Sequence, residues 1–385
     1  MTVVKVLTPY DVKNEEIKIG VGTPYIIHDI KRNKYWLLFT GWKDPNGLKR
    51  EAFVAEIDED LGVKEETIKK IVPKDFPETV DYTHNTVRGI YNPVRDEFYV
   101  TTSHGSKIYL FVFDPNWNLK GYKQLIDFGK VKDAGFPIKP FGAYADLHNA
   151  VAVSPSLDSL SIELYFIKNI DDLSQIEVQN WGEVARWGRG NDVIDLVTMP
   201  RYQIFVEQDT SSKWILHTFI GPSAEELNST DDLKNLYFLE ASLMPMLQLD
   251  DQLVQIGHPQ YTTLPDGEPK ILFASFRDTW SSSLTTKKEG YSHEIWAVYV
   301  DDLIFDPRSY GELKGIVTGN KWIYVPFARK LYITTQSEGI AEFKATINDD
   351  VIEEIKLEKG LNVIDDPLTF VKLKLPSKAT VIARY

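Results

Sequence analysis

The chain has 385 residues, a formal net charge of −13 and 43% hydrophobic residues, which is enough to bury large cores and excludes global disorder. The acidic balance argues against an extended nucleic-acid surface, which requires clustered Lys and Arg, so we expect no nucleic-acid partner. Because the chain contains no Cys, disulfides, thiol nucleophiles and thiolate metal sites are excluded.

The N-terminus begins at Met1 and runs directly into mixed polar sequence, without the apolar core of a signal peptide. No stretch approaches the roughly 18 apolar residues of a membrane-spanning helix. The sequence therefore predicts a cytoplasmic protein without membrane insertion, or a secreted one if a leader has been removed.

A recurring phrase organises most of the chain: a short polar cluster, an apolar stretch, a turn, and then an aromatic-rich strand. β-Branched and aromatic runs favour strands, and Pro, Asn, Asp and Gly favour the turns between them, so each phrase predicts a hairpin. In chain order, the five phrases run over residues 22–39, 84–100, 148–167, 191–205 and 257–273.

At least one further strand follows each phrase, such as residues 52–57 after the first. A hairpin plus one or two strands, repeated every ~40 to 65 residues, is typical of propeller blades. A sandwich, or several separate β-domains, is the alternative arrangement. We predict a propeller domain of residues 1–320, with five blades near residues 15–60, 81–127, 144–180, 190–242 and 254–306.

The sequence changes character from about Trp322, where apolar and charged residues mostly alternate. This pattern predicts an antiparallel sheet with one buried face. The predicted fold class is therefore all-β, a five-bladed β-propeller followed by a small C-terminal antiparallel β-module, sheet or sandwich-like, at residues 321–385. The module is either a lid that packs on the propeller or a unit that binds a sugar or a partner.

The residues that open the five phrases should converge, because the innermost strand of every propeller blade lines the central channel. Polar groups gathered in a cavity rimmed by aromatic rings suit a hydroxyl-rich ligand, so we predict a carbohydrate ligand. Alternatively, these side chains cap strand ends and bond to neighbouring blades. The converging candidates are Thr23, His84, Asn85, Asp146, His148, Asn149, Asn191, Asp192, His258 and Gln260.

Three more residues are candidates for contact with a substrate. The guanidinium groups of Arg88 and Arg277 suit hydroxyls or a carboxylated sugar, although Arg277 beside Asp278 also fits a surface salt bridge. Trp187 is a candidate stacking platform for a sugar ring, with packing between blades as the alternative.

The strand at residues 35–42, YWLLFTGW, resembles the "kYYLFYTG" strand in the first blade of the five-bladed propeller glycosidases typified by arabinanases and β-xylosidases. Gly257 and His258, with the turn at residues 265–267, resemble the last blade of that family. The resemblance covers about residues 15–306 and implies action on a glycosidic bond. It also implies a single calcium ion at the propeller centre beside His258, with waters completing its oxygen shell.

This sequence departs from the family at the catalytic carboxylates. The family uses three of them, and two carboxyl groups flanking the bond are what glycoside cleavage usually requires. The first lies in an Asp-Pro of blade one, where this chain has Thr23 before a proline. Asn149 and Asn191 stand near two other carboxylate positions, and an amide cannot act as a general acid or base.

Neighbouring residues remain candidates for the catalytic groups. Asp146 and Asp192 are the candidate carboxylates, with Asp195 close by, and His84 or His148 is a candidate acid. We therefore predict a glycoside hydrolase-like propeller that acts on or binds a carbohydrate in its central funnel. Two other functions stay open, a non-catalytic propeller that binds glycans or a protein, and a structural or assembly protein.

Overall fold

Strands form almost all of the secondary structure in the computed structural model of the protein, as the sequence predicts. Among the described residues, the helices are short 3₁₀ helices at Glu65–Thr67, Ala224–Glu226, Thr230–Asn235, Asp302–Phe305 and Pro307–Tyr310. None of these is long and apolar enough to cross a membrane. The structure describes residues 2–9, 12–13, 17, 20–42, 50–72, 83–104, 107–127, 141–142, 149–153, 161–170, 172–186, 192–197, 201–209, 214–227, 229–241, 257–276, 293–318 and 320–385.

Five antiparallel sheets follow one another along the chain. Sheets 1 and 2 contain β2 (Gly20–Asp29), β3 (Lys34–Trp42), β4 (Glu51–Ile57) and β5 (Lys69–Lys70), then β6 (Thr83–Asn92), β7 (Glu97–His104), β8 (Lys107–Phe113) and β9 (Leu119–Asp127). Sheet 3 contains β10 (Phe141–Gly142), β11 (Asn149–Val153), β12 (Ser161–Lys168) and β13 (Glu177–Arg186). Sheet 4 begins with β14 (Asp192–Val197), β15 (Gln203–Asp209), β16 (Trp214–Ile220) and β18 (Leu239–Ala241). Sheet 5 contains β19 (Gly257–Thr262), β20 (Lys270–Phe276), β21 (His293–Tyr299) and β1 (Val3–Leu7).

Both faces of sheet 1 are buried at β3 and β4, which explains the nearly continuous apolar runs in these two strands. Successive side chains of a strand point to opposite faces. Leu37 and Phe39 pack with Leu272 of sheet 5, whereas Leu38 packs with Phe98 of sheet 2. Each such buried side chain contributes roughly 1.5–3 kcal/mol of stability. Sheet 1 is therefore held between its two neighbours by alternate residues of the same strands.

The first strands of the five phrases, here called the inner strands, are β2, β6, β11, β14 and β19. The strand β2 packs against β6 and β19, and β14 packs against β19 and β11. The N-terminal strand β1 pairs with β21 at the outer edge of sheet 5, while the next strand, β2, starts sheet 1. Sheets 1 and 5 thus lie side by side although they stand at opposite ends of this part of the chain.

The C-terminal strands form two facing sheets. Sheet 4 continues from β18 into β22 (Glu312–Val317), β29 (Ala379–Arg384), β24 (Lys330–Thr335) and β27 (Gly360–Asp365). Sheet 6 contains β17 (Leu236–Tyr237), β23 (Trp322–Tyr324), β28 (Phe370–Lys374), β25 (Gly339–Lys344) and β26 (Glu353–Leu357). Leu331, Phe343 and Val381 belong to the core between them, so alternate residues face inward on both sides.

An ion-pair network joins sheets 1 and 2 at the ends where β2 and β6 finish. Arg32 donates to Oδ2 of Asp29 at 3.0 Å and to both carboxylate oxygens of Asp96, each at 2.8 Å. The Tyr91 hydroxyl donates to Oδ1 of Asp96 at 2.5 Å. Hydrogen bonds from the Arg32 guanidinium, and to a lesser extent from the Tyr91 hydroxyl, hold the pKa of Asp96 well below its ordinary value.

We expect Asp96→Asn to lower the free energy of unfolding by about 1 kcal/mol at pH 7, since the pair is partly exposed and screened. The pKa of Asp96 is lower in the folded than in the unfolded chain. Its stabilisation is therefore present above the unfolded pKa of about 3.9 and is lost as the pH falls through the folded pKa. Urea unfolding at pH 7, 5 and 3 should show the wild-type advantage shrinking at the lowest pH.

The matched control is Asp365→Asn, whose carboxylate forms an exposed pair with Lys330 at 3.0 Å. This variant should change the free energy of unfolding by less than about 0.5 kcal/mol at each pH. An Asp96→Asn difference that stays constant from pH 7 to pH 3 would contradict the pKa shift.

Candidate functional site

Four of the inner strands carry a register shift near the point where they begin. These shifts lie between Gly22 and Tyr25 in β2, Thr83 and Val87 in β6, Val193 and Asp195 in β14, and Gly257 and Gln260 in β19. A β-bulge inserts extra residues, bends the strand and re-aims side chains, and it is over-represented next to active sites. The predicted site residues inside these shifts are Thr23, His84, Asn85 and His258.

Thr23 has a backbone conformation that β-branched residues rarely adopt, with φ of 49°. Its hydroxyl donates to the Thr40 hydroxyl at 3.0 Å, and Thr40 donates to the carbonyl oxygen of Gly22 at 3.2 Å. Thr23 is fully buried. At the position that the sequence resemblance aligns with a family carboxylate, this chain therefore has a neutral hydroxyl that bonds within sheet 1.

Arg88 lies on β6 and reaches across to β2. Its side chain is fully buried, and Nη1 donates to the carbonyl oxygen of Val87 at 2.9 Å. The same nitrogen is 3.5 Å from the carbonyl oxygen of Thr23, and the guanidinium lies 5.4 Å from the Tyr25 ring centroid. Arg88 therefore connects two inner strands next to the bulge at Thr23.

Gln260 connects β19 to β2 from the other side. Its Oε1 accepts a hydrogen bond from the backbone N–H of Ile26 at 2.8 Å, and its side chain is only 3% exposed. Thr23, Arg88 and Gln260 are thus brought together from the first, second and fifth phrases. The contacts described for them are with neighbouring protein groups, which matches the strand-bridging alternative of the sequence analysis.

The other predicted residues are located less completely. Asp192, His84, Asn85, Asn149 and His258 lie on inner strands, where the structure describes their backbone. Five more fall outside the described residues, namely Asp146, His148, Trp187, Asn191 and Arg277. Within the described ranges, no group of three His, Cys, Asp or Glu side chains is placed to hold a metal. The calcium ion beside His258 stays a prediction.

Sequence reasoning missed a buried cluster at the same end of sheets 1 and 5. Trp42 pairs with Gly20 across β2 and β3, so its indole lies near the start of an inner strand. The Arg50 guanidinium lies 4.8 Å from the ring centroid of Trp42, and the His293 ring packs edge-to-face at 4.8 Å. A Cβ on Gly20 would come within 2.1 Å of this indole, so the glycine is required there. A glycine at position 20 was the feature of the sequence that could have indicated a side chain packed closely against this strand.

Comparison with known proteins finds similarity in overall fold. No protein-family profile matches the sequence, and no curated protein matches it. The structure is similar to an α-L-arabinofuranosidase from Lactobacillus brevis, with 12% identity, a TM-score of 0.43, and coverage of 77% of this chain and 95% of that one. It is also similar to an endo-arabinase from Bacteroides thetaiotaomicron, with 15% identity, a TM-score of 0.42, and coverage of 75% of this chain and 99% of that one. A third similar structure is an exo-β-1,3-galactanase from Phanerochaete chrysosporium, with 9% identity, a TM-score of 0.41, and coverage of 100% of both chains.

These similar structures are glycosidases, the class of protein that the sequence resemblance names. At 9–15% identity, these comparisons concern architecture alone.

Proposed function

We propose that sheets 1 to 5 are the blades of a five-bladed β-propeller, and that the protein binds a carbohydrate where the inner strands begin and acts on it as a glycoside hydrolase. The observation that carries this proposal is the set of bulges in four inner strands at the positions where the phrases open. The packing of β2 between β6 and β19 supports a circular arrangement of the sheets.

The domain boundary that we propose lies earlier than residue 321. The strand β22 begins at Glu312 and pairs with the last strand, β29. It also pairs with β18 of sheet 4, and β17 pairs with β23. These pairings support a C-terminal module that starts at about Glu312 and is fixed to the propeller by shared sheets.

The proposed catalytic groups are two carboxylates and a histidine. Asp192 begins β14, one residue before the register shift of that strand. Together with Asp146 it supplies the two carboxyl groups that glycoside cleavage usually requires, one to protonate the leaving oxygen and one to activate water or attack the sugar. His84, within the bulge of β6, or His148 would act as the acid or hold the substrate.

We expect Asp192→Asn to lower the rate of glycoside hydrolysis by about a hundredfold or more, because an amide cannot transfer the proton. The assay is product release from a panel of aryl glycosides and plant or algal oligosaccharides. Asp365→Asn, at an exposed pair in the C-terminal sheet, is the control and should keep wild-type activity. Wild-type turnover that Asp192→Asn leaves unchanged would contradict the assigned role.

A second candidate function is carbohydrate binding without catalysis. The Thr23 hydroxyl, which is hydrogen-bonded to Thr40, favours this function. Thr23 stands at the position of the first family carboxylate, and a hydroxyl does not titrate near neutral pH. In that case, members of the same panel would bind in calorimetric titrations and no product would appear. Product release would exclude this second function.

A further inference from the structure

A cavity of about 240 Å³ lies between sheet 1 and the turn that joins β8 to β9. It is found where β2 and β8 finish, at the opposite end of the sheets from the bulges. It is therefore separate from the proposed carbohydrate site. The lining residues are Arg32, Lys34, Trp36, Val54, Thr67, Lys69, Pro115, Asn116 and Trp117.

The walls of this cavity include two indole rings that are held rigidly. Trp36 and Trp117 pack edge-to-face at 5.6 Å, and Trp117 stacks on Phe98 at 4.1 Å. Trp117 has φ of 60°, in the left-handed region that disfavours a bulky residue. Its 3% exposure and its stacking offset this strain. Flat aromatic surfaces of this kind suit the apolar face of a sugar ring.

The charged side chains that line the cavity are all positive. Three of its residues are cations and none is Asp or Glu, although the chain as a whole carries a net charge of −13. Lys34 pairs with Glu56 at 2.6 Å, and Arg32 is bound by its two carboxylates. Lys69 donates only to neutral oxygens, the Asn116 carbonyl at 3.1 Å and Asn118 Oδ1 at 3.2 Å.

Lys69 is thus the lining cation that makes no ion pair within the described residues. Its charge also acts on the Asp114 carboxylate. A ligand anion at the cavity could exchange a neutral partner of this ammonium for a charge-assisted bond, which is the stronger kind.

Two hydrogen-bond donors of the walls also lack partners. Nε1 of Trp36 and Nε1 of Trp117 are buried and bond to no described group. A buried donor without an acceptor costs about 1–3 kcal/mol. An acceptor that enters the cavity and reaches either indole N–H would recover part of that cost. Aromatic walls, unsatisfied donors and an ammonium without an ion pair together favour a small ligand with a ring and an anionic group.

We propose that this cavity binds a sugar ring bearing one anionic group, a carboxylate or a phosphate ester, with the anion at Lys69 and the ring against Trp36 and Trp117. The volume suits a single ring, since it falls below the ~300 to 1,000 Å³ of sites for larger ligands. The site would let the protein hold an acidic sugar away from the centre of the sheets.

The test follows the nine indole N–H signals of the ¹⁵N-labelled protein by NMR during titration. Trp36→Phe and Trp117→Phe assign the two cavity signals. D-glucuronate or D-glucose 6-phosphate should shift both signals saturably, and comparison of the two ligands distinguishes a carboxylate from a phosphate ester. D-glucose and inorganic phosphate should each bind at least about tenfold more weakly, because each lacks one half of the recognised chemistry.

Lys69→Met removes the exposed ammonium and should weaken binding of the anionic sugar by about tenfold. Lys123→Met is the matched control, because Lys123 donates to the Leu173 carbonyl oxygen at 2.9 Å, away from the cavity. Unchanged signals from the other tryptophans verify that both variants fold. The proposal is overturned if neither sugar shifts the cavity signals, if inorganic phosphate binds as well as the sugars, or if Lys69→Met binds like the wild type.

Discussion

The Arg88→Ala variant should lose about 3 kcal/mol of its free energy of unfolding. The Arg88 side chain is fully buried, so truncation leaves a cavity between β2 and β6. It also removes the donor that Nη1 supplies to the Val87 carbonyl oxygen at 2.9 Å and the guanidinium above the Tyr25 ring. Chemical denaturation monitored by tryptophan fluorescence measures the change.

Arg95→Ala is the control for Arg88→Ala, since Arg95 is an exposed arginine in the turn that follows the same strand. It should change the free energy of unfolding by less than about 0.5 kcal/mol. The experiment also separates the two interpretations of Arg88. A stable Arg88→Ala variant that has lost carbohydrate binding would contradict the strand-bridging role and support the substrate-binding role predicted from the sequence.

The second large effect is expected at Glu183, where sheet 3 meets the proposed C-terminal module. Its carboxylate accepts hydrogen bonds from Arg186 Nε at 3.0 Å, the Tyr237 hydroxyl at 3.1 Å and the Thr318 hydroxyl at 2.8 Å. The Tyr237 hydroxyl also lies 2.6 Å from the Ile316 carbonyl oxygen. One carboxylate thus connects β13, β17 and the end of β22.

We expect Glu183→Ala to cost about 3–5 kcal/mol, because it leaves the largely buried charge of Arg186 without its partner. The lost bonds join the module to sheet 3, so the denaturation curve should also separate into two transitions, with the module unfolding first. Circular dichroism and tryptophan fluorescence, followed over the same urea series, measure both effects.

Glu312→Ala is the matched control for Glu183→Ala. Its carboxylate pairs with Arg384 at 3.2 Å on the same module, but this pair is exposed and should contribute only about 0–1 kcal/mol. A Glu183→Ala variant that unfolds in one transition at the wild-type urea concentration would show that the contact is not needed to hold the module.

Sequence periodicity located the strands well. The predicted strand at residues 52–57 corresponds to Glu51–Ile57. Strand β13 was harder to locate, although it extends from Glu177 to Arg186. Gly182, with φ of 77°, and two register shifts with β12 interrupt the alternation that makes a strand visible in sequence.

The roles of individual side chains were harder to predict from the sequence than the positions of the strands. Gln260 was placed with Thr23 among the residues that open the repeated phrases, whereas Arg88 was recognised only as a candidate for contact with a substrate. The bonds that join both residues to β2 reach groups far away in the sequence, and no local pattern specifies such contacts. The cavity beside Trp117 was not anticipated for the same reason, since its lining comes from two sheets.

The sequence by itself determined that the chain is built from strands and hairpins, because side-chain alternation and turn residues are local properties. Only the tertiary structure decided which sheet covers which face, why Leu37 and Leu38 pack against different neighbours, and that the strand beginning at Glu312 pairs with the last strand of the chain. Those choices depend on strand pairing and face-to-face packing between distant segments. The free energy of such contacts comes from close fit and satisfied hydrogen bonds, which short stretches of sequence do not encode.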